Sequence, residues 1–356
     1  MDQIWWKQIS RASHFIRNTA NAALDGKNII LSFPEFIPWQ NTMYEIIEGI
    51  LHTENPEYRL VFHECPAGDI GEFLLKEYCK REKRASYRFG MSYAAFLAKS
   101  EDIVLNTRYL WIKNVSGKKL EEWARFILDY NKNLPKHKSP AIFILETHSA
   151  GIRPPKIKGI RYISFDDNVD SYDKFTFCAL ASTDTDVKGY LRPYLADLVS
   201  TVCKDDIELC AACIQHWRDF LENPLQTLKR IAKQEVHSDG SSFCLDLKQE
   251  TVEKSIWEGQ IKLLFPIVEK YRSKFIKRHY AEINKALPVQ TSYGDFIKNP
   301  LDVELGCIIQ MVGNKYITLN DSEYTQLDNF RHARNDLAHS TPISFTRVDW
   351  ILSQKI

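Results

Sequence analysis

Near its C-terminal end the chain reads "FRHARNDLAHS", Phe330 to Ser340. Arg334, Asn335 and His339 bring a guanidinium, an amide and an imidazole within about one and a half helical turns. Imidazole exchanges protons near neutral pH, and the arginine fork suits phosphate oxygens. Together they fit acid–base chemistry on a phosphate ester. They fit equally well a polar knot that caps carbonyls and pairs with an acid such as Glu304. On an ideal helix Asn335 and His339 share a face, whereas Arg334 points about 140° away from His339. All three converge only at a frayed end or across two chains.

Spacing by itself says little: four residues separate Arg334 from His339, and six separate Arg230 from His237 and Arg272 from His279, all within the same four-to-six range. What sets the last pair apart is Asn335, the apolar Leu337-Ala338, and the exit "STP" after His339. Pro342 stops a helix, so His339 is expected at a helix C-terminus, where the macrodipole favours an imidazolium. The neighbouring Asp336 opposes a phosphate unless it is paired. One dense basic stretch, "KYRSKFIKRHY" (Lys270–Tyr280), offers Lys274, Lys277 and Arg278 as an RNA-binding track with interleaved aromatics. The same run also suits an ordinary solvated helix face.

The elements that position these groups read as a helical bundle over residues 242–356. A long helix is expected near Gln249–Ile283, kinked or divided by Pro266. Others are expected at Leu301–Val312, Ser322–His339 and Ser344–Ser353. Upstream, residues 184–241 are helical almost throughout and close on "VHSDGSSF" (Val236–Phe243), whose Ser, Asp and Gly mark it as a linker. Residues 1–183 alternate β-rich runs with helices: Lys27–Phe33, Tyr58–Glu64, Arg108–Val115, Ala141–Thr147 and Ile160–Phe165 as strands, with helices at Trp39–Leu51, Asp69–Arg81 and Lys118–Asn131. Near-continuous apolar strands separated by helices predict a parallel sheet.

The Arg-Asn-x-x-x-His pattern near the end of a bundle helix resembles the signature of HEPN (higher eukaryotes and prokaryotes nucleotide-binding) domains. The resemblance covers about residues 242–356 and rests on Arg334, Asn335 and His339. It implies metal-independent RNA cleavage by 2′-OH attack, at a composite site in a homodimer formed through the C-terminal bundle. Paired with an NTPase-like domain, it implies an effector of toxin or antiviral-defence type, with RNA and other defence proteins as partners. The family also includes non-catalytic members, which leaves open an interaction protein used for dimerisation or docking.

In element order residues 1–235 weakly resemble AAA+ or STAND-type P-loop NTPases, without their motifs. After the first strand comes "PEFIPWQNTMYEII", with no glycine or lysine, and two prolines that remove N–H donors a phosphate cradle needs. Thr42 is the one magnesium-ligand type there. The third strand ends in Lys113-Asn114 rather than a carboxylate, and "AIFILETHS" sets Glu146 and Thr147 at a sensor-like tip. ATP hydrolysis is not expected.

The remaining composition narrows the class. Net charge is +1, with 44% hydrophobic and 26% charged residues. Global attraction to nucleic acid is therefore absent, and any RNA contact must be local. No apolar run approaches the ~18 residues of a membrane span. The start "MDQIWWKQIS" lacks signal-peptide order, and a cytoplasmic protein is expected. Eight scattered cysteines suit a reducing compartment. Cys203, Cys210, Cys213 and His216 suggest zinc, but their helical spacing with Leu209 and Trp217 makes them an apolar stripe. No metal or cofactor is expected.

Overall fold

The structure is a computed structural model that describes residues 1–87, 90–100, 105–148, 157–165, 170–244, 248–290, 294 and 296–354. The chain forms two compact units, residues 1–173 and 174–356.

The first unit is a parallel five-stranded sheet: β1 (Asn28–Phe33), β2 (Arg59–Glu64), β3 (Arg108–Lys113), β4 (Ile142–His148) and β5 (Ile160–Ser164), ordered β2-β3-β4-β1-β5. All six residues of β1 are buried, and β4 is buried up to His148. The edge strand β2 is half-exposed. That gradient follows from covering a parallel sheet with helices on both faces. Trp123, Ile127 and Tyr130 of helix Gly117–Asn133 join Phe143 and Leu145 of β4 in one core cluster. Helix Ser10–Leu24 packs on β1, β5 and helix Gln40–Glu54. The parallel sheet with flanking helices, followed by a helical region, is the arrangement expected from the sequence.

The second unit is built from helices, including Arg192–Val202, Ile207–Gln215, Gln249–Arg278, Leu305–Gly313, Asp321–Ala338 and Phe345–Ser353. Helix Gln249–Arg278 packs on both Arg192–Val202 and Asp321–Ala338. Pro266 does not divide it, contrary to one expectation. Pro266 is exposed, so the carbonyl one turn back that loses its partner sits on the water side. The break comes at His279, after which Tyr280–Ala286 forms a separate helix.

Val236–Phe243 is likewise no loose linker. A bridge joins Val236 to Ser242, and Gly240 takes the left-handed conformation in the turn between them. His237 Nε2 meets the Asp206 carboxylate at 2.7 Å, while the Ser238 N–H and hydroxyl both donate to Glu208. The segment is pinned onto the N-terminus of helix Ile207–Gln215. Among the described residues no helix is long and apolar enough to cross a membrane.

Candidate functional site

Helix Asp321–Ala338 carries the Arg-Asn-His motif. It starts with a capping box: the Asn320 side chain accepts from the Glu323 N–H, and the Glu323 carboxylate accepts from the Asn320 N–H. Leu327, Phe330, Ala333 and Leu337 form its buried stripe. His339 is the C-cap, as expected. The stop is made one residue before the proline's reach. Ser340 takes the left-handed conformation at φ 56°, and the Thr341 N–H donates to the Asp336 carbonyl at 2.9 Å. This is a Schellman turn with serine where glycine is usual.

Two side chains of helix Gln249–Arg278 hold this end in place. Trp257 Nε1–H donates to the Leu337 carbonyl at 2.8 Å, alongside the longer bond from the Ser340 N–H at 3.4 Å. Gln260, 1% exposed, brackets Ile343: its amide N–H donates to the Ile343 carbonyl (2.8 Å) and its oxygen accepts the Ile343 N–H (2.7 Å). It also donates to the Tyr194 hydroxyl at 3.0 Å. Gln260→Ala is expected to lower stability by about 2–4 kcal/mol, since it strands buried polar partners and leaves a cavity. Urea unfolding reads this directly; an unchanged midpoint would show that Gln260 does not hold the exit of the motif.

The motif residues differ in their engagement. Arg334 pairs with Glu304, the residue that precedes helix Leu305–Gly313. Asp336 pairs with Arg347 at 3.0 Å, so the acid that would oppose a phosphate is neutralised. Asn335 is half-buried and His339 exposed. The structure therefore brings Asn335 and His339 to one open helix end, with Arg334 tethered beside them.

Lys274, Lys277 and Arg278 lie elsewhere. Lys274 and Lys277 are exposed, and Arg278 reaches Glu323 at 3.3 Å. Glu323 stands in the first turn of the motif helix, whereas His339 closes its last. Sixteen residues at the ~1.5 Å helical rise separate the basic cluster from His339 by about 24 Å. The two predicted sets are not brought together.

In the first unit the C-terminal edge of the sheet holds a group that sequence reasoning noted without its partners. Glu146, 1% exposed, accepts from Trp111 Nε1–H (2.6 Å), the Tyr44 hydroxyl (2.8 Å) and the Gln40 amide (3.1 Å). His148 Nε2 lies 3.3 Å from it, and His148 Nδ1 lies 2.8 Å from the Pro34 carbonyl. Burial and the adjacent carboxylate push the Tyr44 hydroxyl far above the ordinary tyrosine range. Here Trp6 Nε1–H reaches the Pro38 and Trp39 carbonyls (3.0 and 3.2 Å), and Thr42 donates to Asp2 at 2.8 Å. Glu146 is the buried acid at this edge of the sheet.

Hydrogen bonding to Glu146, with the Pro34 carbonyl also contributing, raises the His148 pKa above its ordinary value against the opposing effect of burial. A histidine whose folded pKa lies above its unfolded value of about 6.5 stabilises fully below that pH. The contribution is lost as pH rises through the folded pKa. Between pH 6 and pH 8 the wild-type melting temperature is thus expected to fall more than that of His148→Gln. Parallel pH dependence in the two proteins would remove His148 from this role.

The cysteine stripe is buried, as expected, and gains a member from outside the local pattern. Cys178, Cys203, Cys210 and Cys213 are all buried. Cys203 and Cys213 sulfurs lie 3.6 Å apart, and burial pushes the Cys178 and Cys203 thiols up. His216 points to Glu235 instead, at 2.8 Å. Among the described residues no group of three or more His, Cys, Asp or Glu is disposed to hold a metal ion.

No family model matches the chain, and no curated protein does. Among solved structures it is similar to a RuvB variant from Thermotoga maritima, at 12% identity over 94% of this chain and 85% of that one, with a TM-score of 0.37. It is also similar to Aeropyrum pernix ORC1 in complex with DNA, at 10% identity over 92% and 93% of the two chains, with a TM-score of 0.36. For AMPPCP-bound DnaA from Aquifex aeolicus the values are 12%, 70%, 79% and 0.29. These likenesses are remote.

Proposed function

We propose that the chain is a metal-independent endoribonuclease of HEPN type, an effector of toxin or antiviral-defence character that acts as a homodimer. The observation that carries this reading is the open helix end where His339 and Asn335 stand together while Asp336 is neutralised by Arg347. The ribose 2′-oxygen forms a bond to the adjacent phosphorus and gives up its proton. The bond from phosphorus to the 5′-oxygen breaks, and that oxygen takes a proton. His339 serves one of these transfers. A second copy supplies the other, because one imidazole does not act as both acid and base in a single step. Arg334 holds the non-bridging oxygens. Its pair with Glu304 has side-chain exposures of 31% and 51%, and such exposed pairs contribute at most about 1 kcal/mol. A phosphate can displace Glu304 from it.

The Arg334–Glu304 pair also favours a second reading, in which the motif is a structural knot and the bundle a non-catalytic docking module. One experiment separates the two. Purified protein and His339→Ala are incubated with single-stranded RNA, and 2′,3′-cyclic phosphate ends are scored. Cleavage by the wild type alone supports the nuclease. An inert wild type supports the docking module.

A further inference from the structure

We propose that the end of the bundle opposite His339 is a second contact for single-stranded RNA, so that strands long enough to reach both ends are preferred. This rests on the ribonuclease reading for its consequence in cleavage, but the contact itself is read from other residues. Helix Gln249–Arg278 is tied to the motif helix at both ends, by Trp257 to Leu337 and by Arg278 to Glu323. The two helices therefore run antiparallel, and the basic cluster sits a whole helix length from the catalytic end.

The chemistry at that end fits a strand rather than a single phosphate. Lys274 and Lys277 are exposed beside Arg278, whose pair with Glu323 is itself an exposed one (68% and 35%) and so is weak. Among the described residues, nearby acids include Asp321, in the same first turn as Glu323, and Glu282, which faces His279 at 3.2 Å. Tyr280 follows Arg278 by two residues and is 49% exposed; Tyr324 follows Glu323 and is 43% exposed. Exposed aromatic faces among lysines and arginine are what unpaired bases stack on, with little regard to sequence. At ~3.4 Å per phosphate along a stacked strand, about seven nucleotides bridge the ~24 Å between the ends.

The test uses full-length protein carrying His339→Ala, so that bound RNA is not consumed, and fluorescein-labelled oligouridylates of five and fifteen nucleotides. By anisotropy, the fifteen-mer is expected to bind at least tenfold tighter than the five-mer. Combining Lys274→Gln, Lys277→Gln and Arg278→Gln should erase that advantage and reduce the salt slope of fifteen-mer binding by about two, at ~0.7 per neutralised phosphate on a single strand. Tyr280→Ala with Tyr324→Ala should weaken the fifteen-mer without changing the slope. Equal affinity for both lengths, or a length preference that survives the triple substitution, would overturn the proposal. Length-dependent binding in a wild type that cuts nothing would leave this surface standing and remove the nuclease. His339-dependent cleavage with no length preference would do the reverse.

Discussion

Replacing His339 by alanine is expected to reduce RNA cleavage by two to four orders of magnitude, the range in which a positioned general acid or base contributes. Stability should hardly change. The side chain is exposed, and the turn that ends the helix is made by backbone bonds, from the His339 N–H to the Asn335 carbonyl and from the Thr341 N–H to the Asp336 carbonyl. Alanine keeps both. The pairing of a large catalytic loss with a melting temperature within about 1–2 °C of wild type is therefore diagnostic. A companion substitution sharpens the assignment. Glu304→Gln releases Arg334 from its ion pair; if Arg334 binds the scissile phosphate, cleavage should rise or KM fall. A residual activity in His339→Ala close to wild type would transfer the chemistry elsewhere and end the present assignment.

The sheet was legible because each strand is a short, nearly unbroken apolar run. The observed β1, Asn28–Phe33, and β3, Arg108–Lys113, start within one residue of the expected positions. The two opening helices, Asp2–Gln8 and Ser10–Leu24, were not expected. The first buries Ile4, Trp5 and Trp6 and the second Phe15 and Ile16 beside Ala12, Ala20, Ala22 and Ala23; alanine marks a core position less plainly than a larger apolar residue does. The long helix was expected to yield at Pro266, but an exposed proline is cheap where water can serve the stranded carbonyl.

At the candidate sites, local pattern revealed the groups but not their partners. His339 was correctly set at a helix end by Pro342 and the preceding apolar pair. Nothing local tied Trp257 to Leu337 or Gln260 to Ile343, both eighty or more residues apart. Cys178 joins a thiol cluster from a separate helix, so no Cys-x-x-Cys count includes it. The separation of Lys277 from His339 was equally hidden, since it follows from the antiparallel pairing of two helices rather than from either sequence.

Glu146→Ala should give the largest loss of stability in the first unit, about 3–5 kcal/mol. The carboxylate is 1% exposed and receives Trp111, Tyr44 and Gln40. Removing it leaves the Trp111 indole N–H and the Tyr44 hydroxyl without an acceptor in a buried setting, at about 1–3 kcal/mol for each stranded group. For a unit of this size that corresponds to roughly 10 °C or more in melting temperature. The loss is a property of the cluster, so it should shrink when the stranded donors are removed too: Glu146→Ala combined with Tyr44→Phe should cost less than the sum of the single changes. Additive losses, or a melting temperature within about 3 °C of wild type for Glu146→Ala, would mean that water reaches the crevice and takes the carboxylate's place. The coupled outcome would instead make this edge of the sheet a sealed structural element. There the Glu146 carboxyl and its donors Trp111, Tyr44 and Gln40 fill the edge from within the chain.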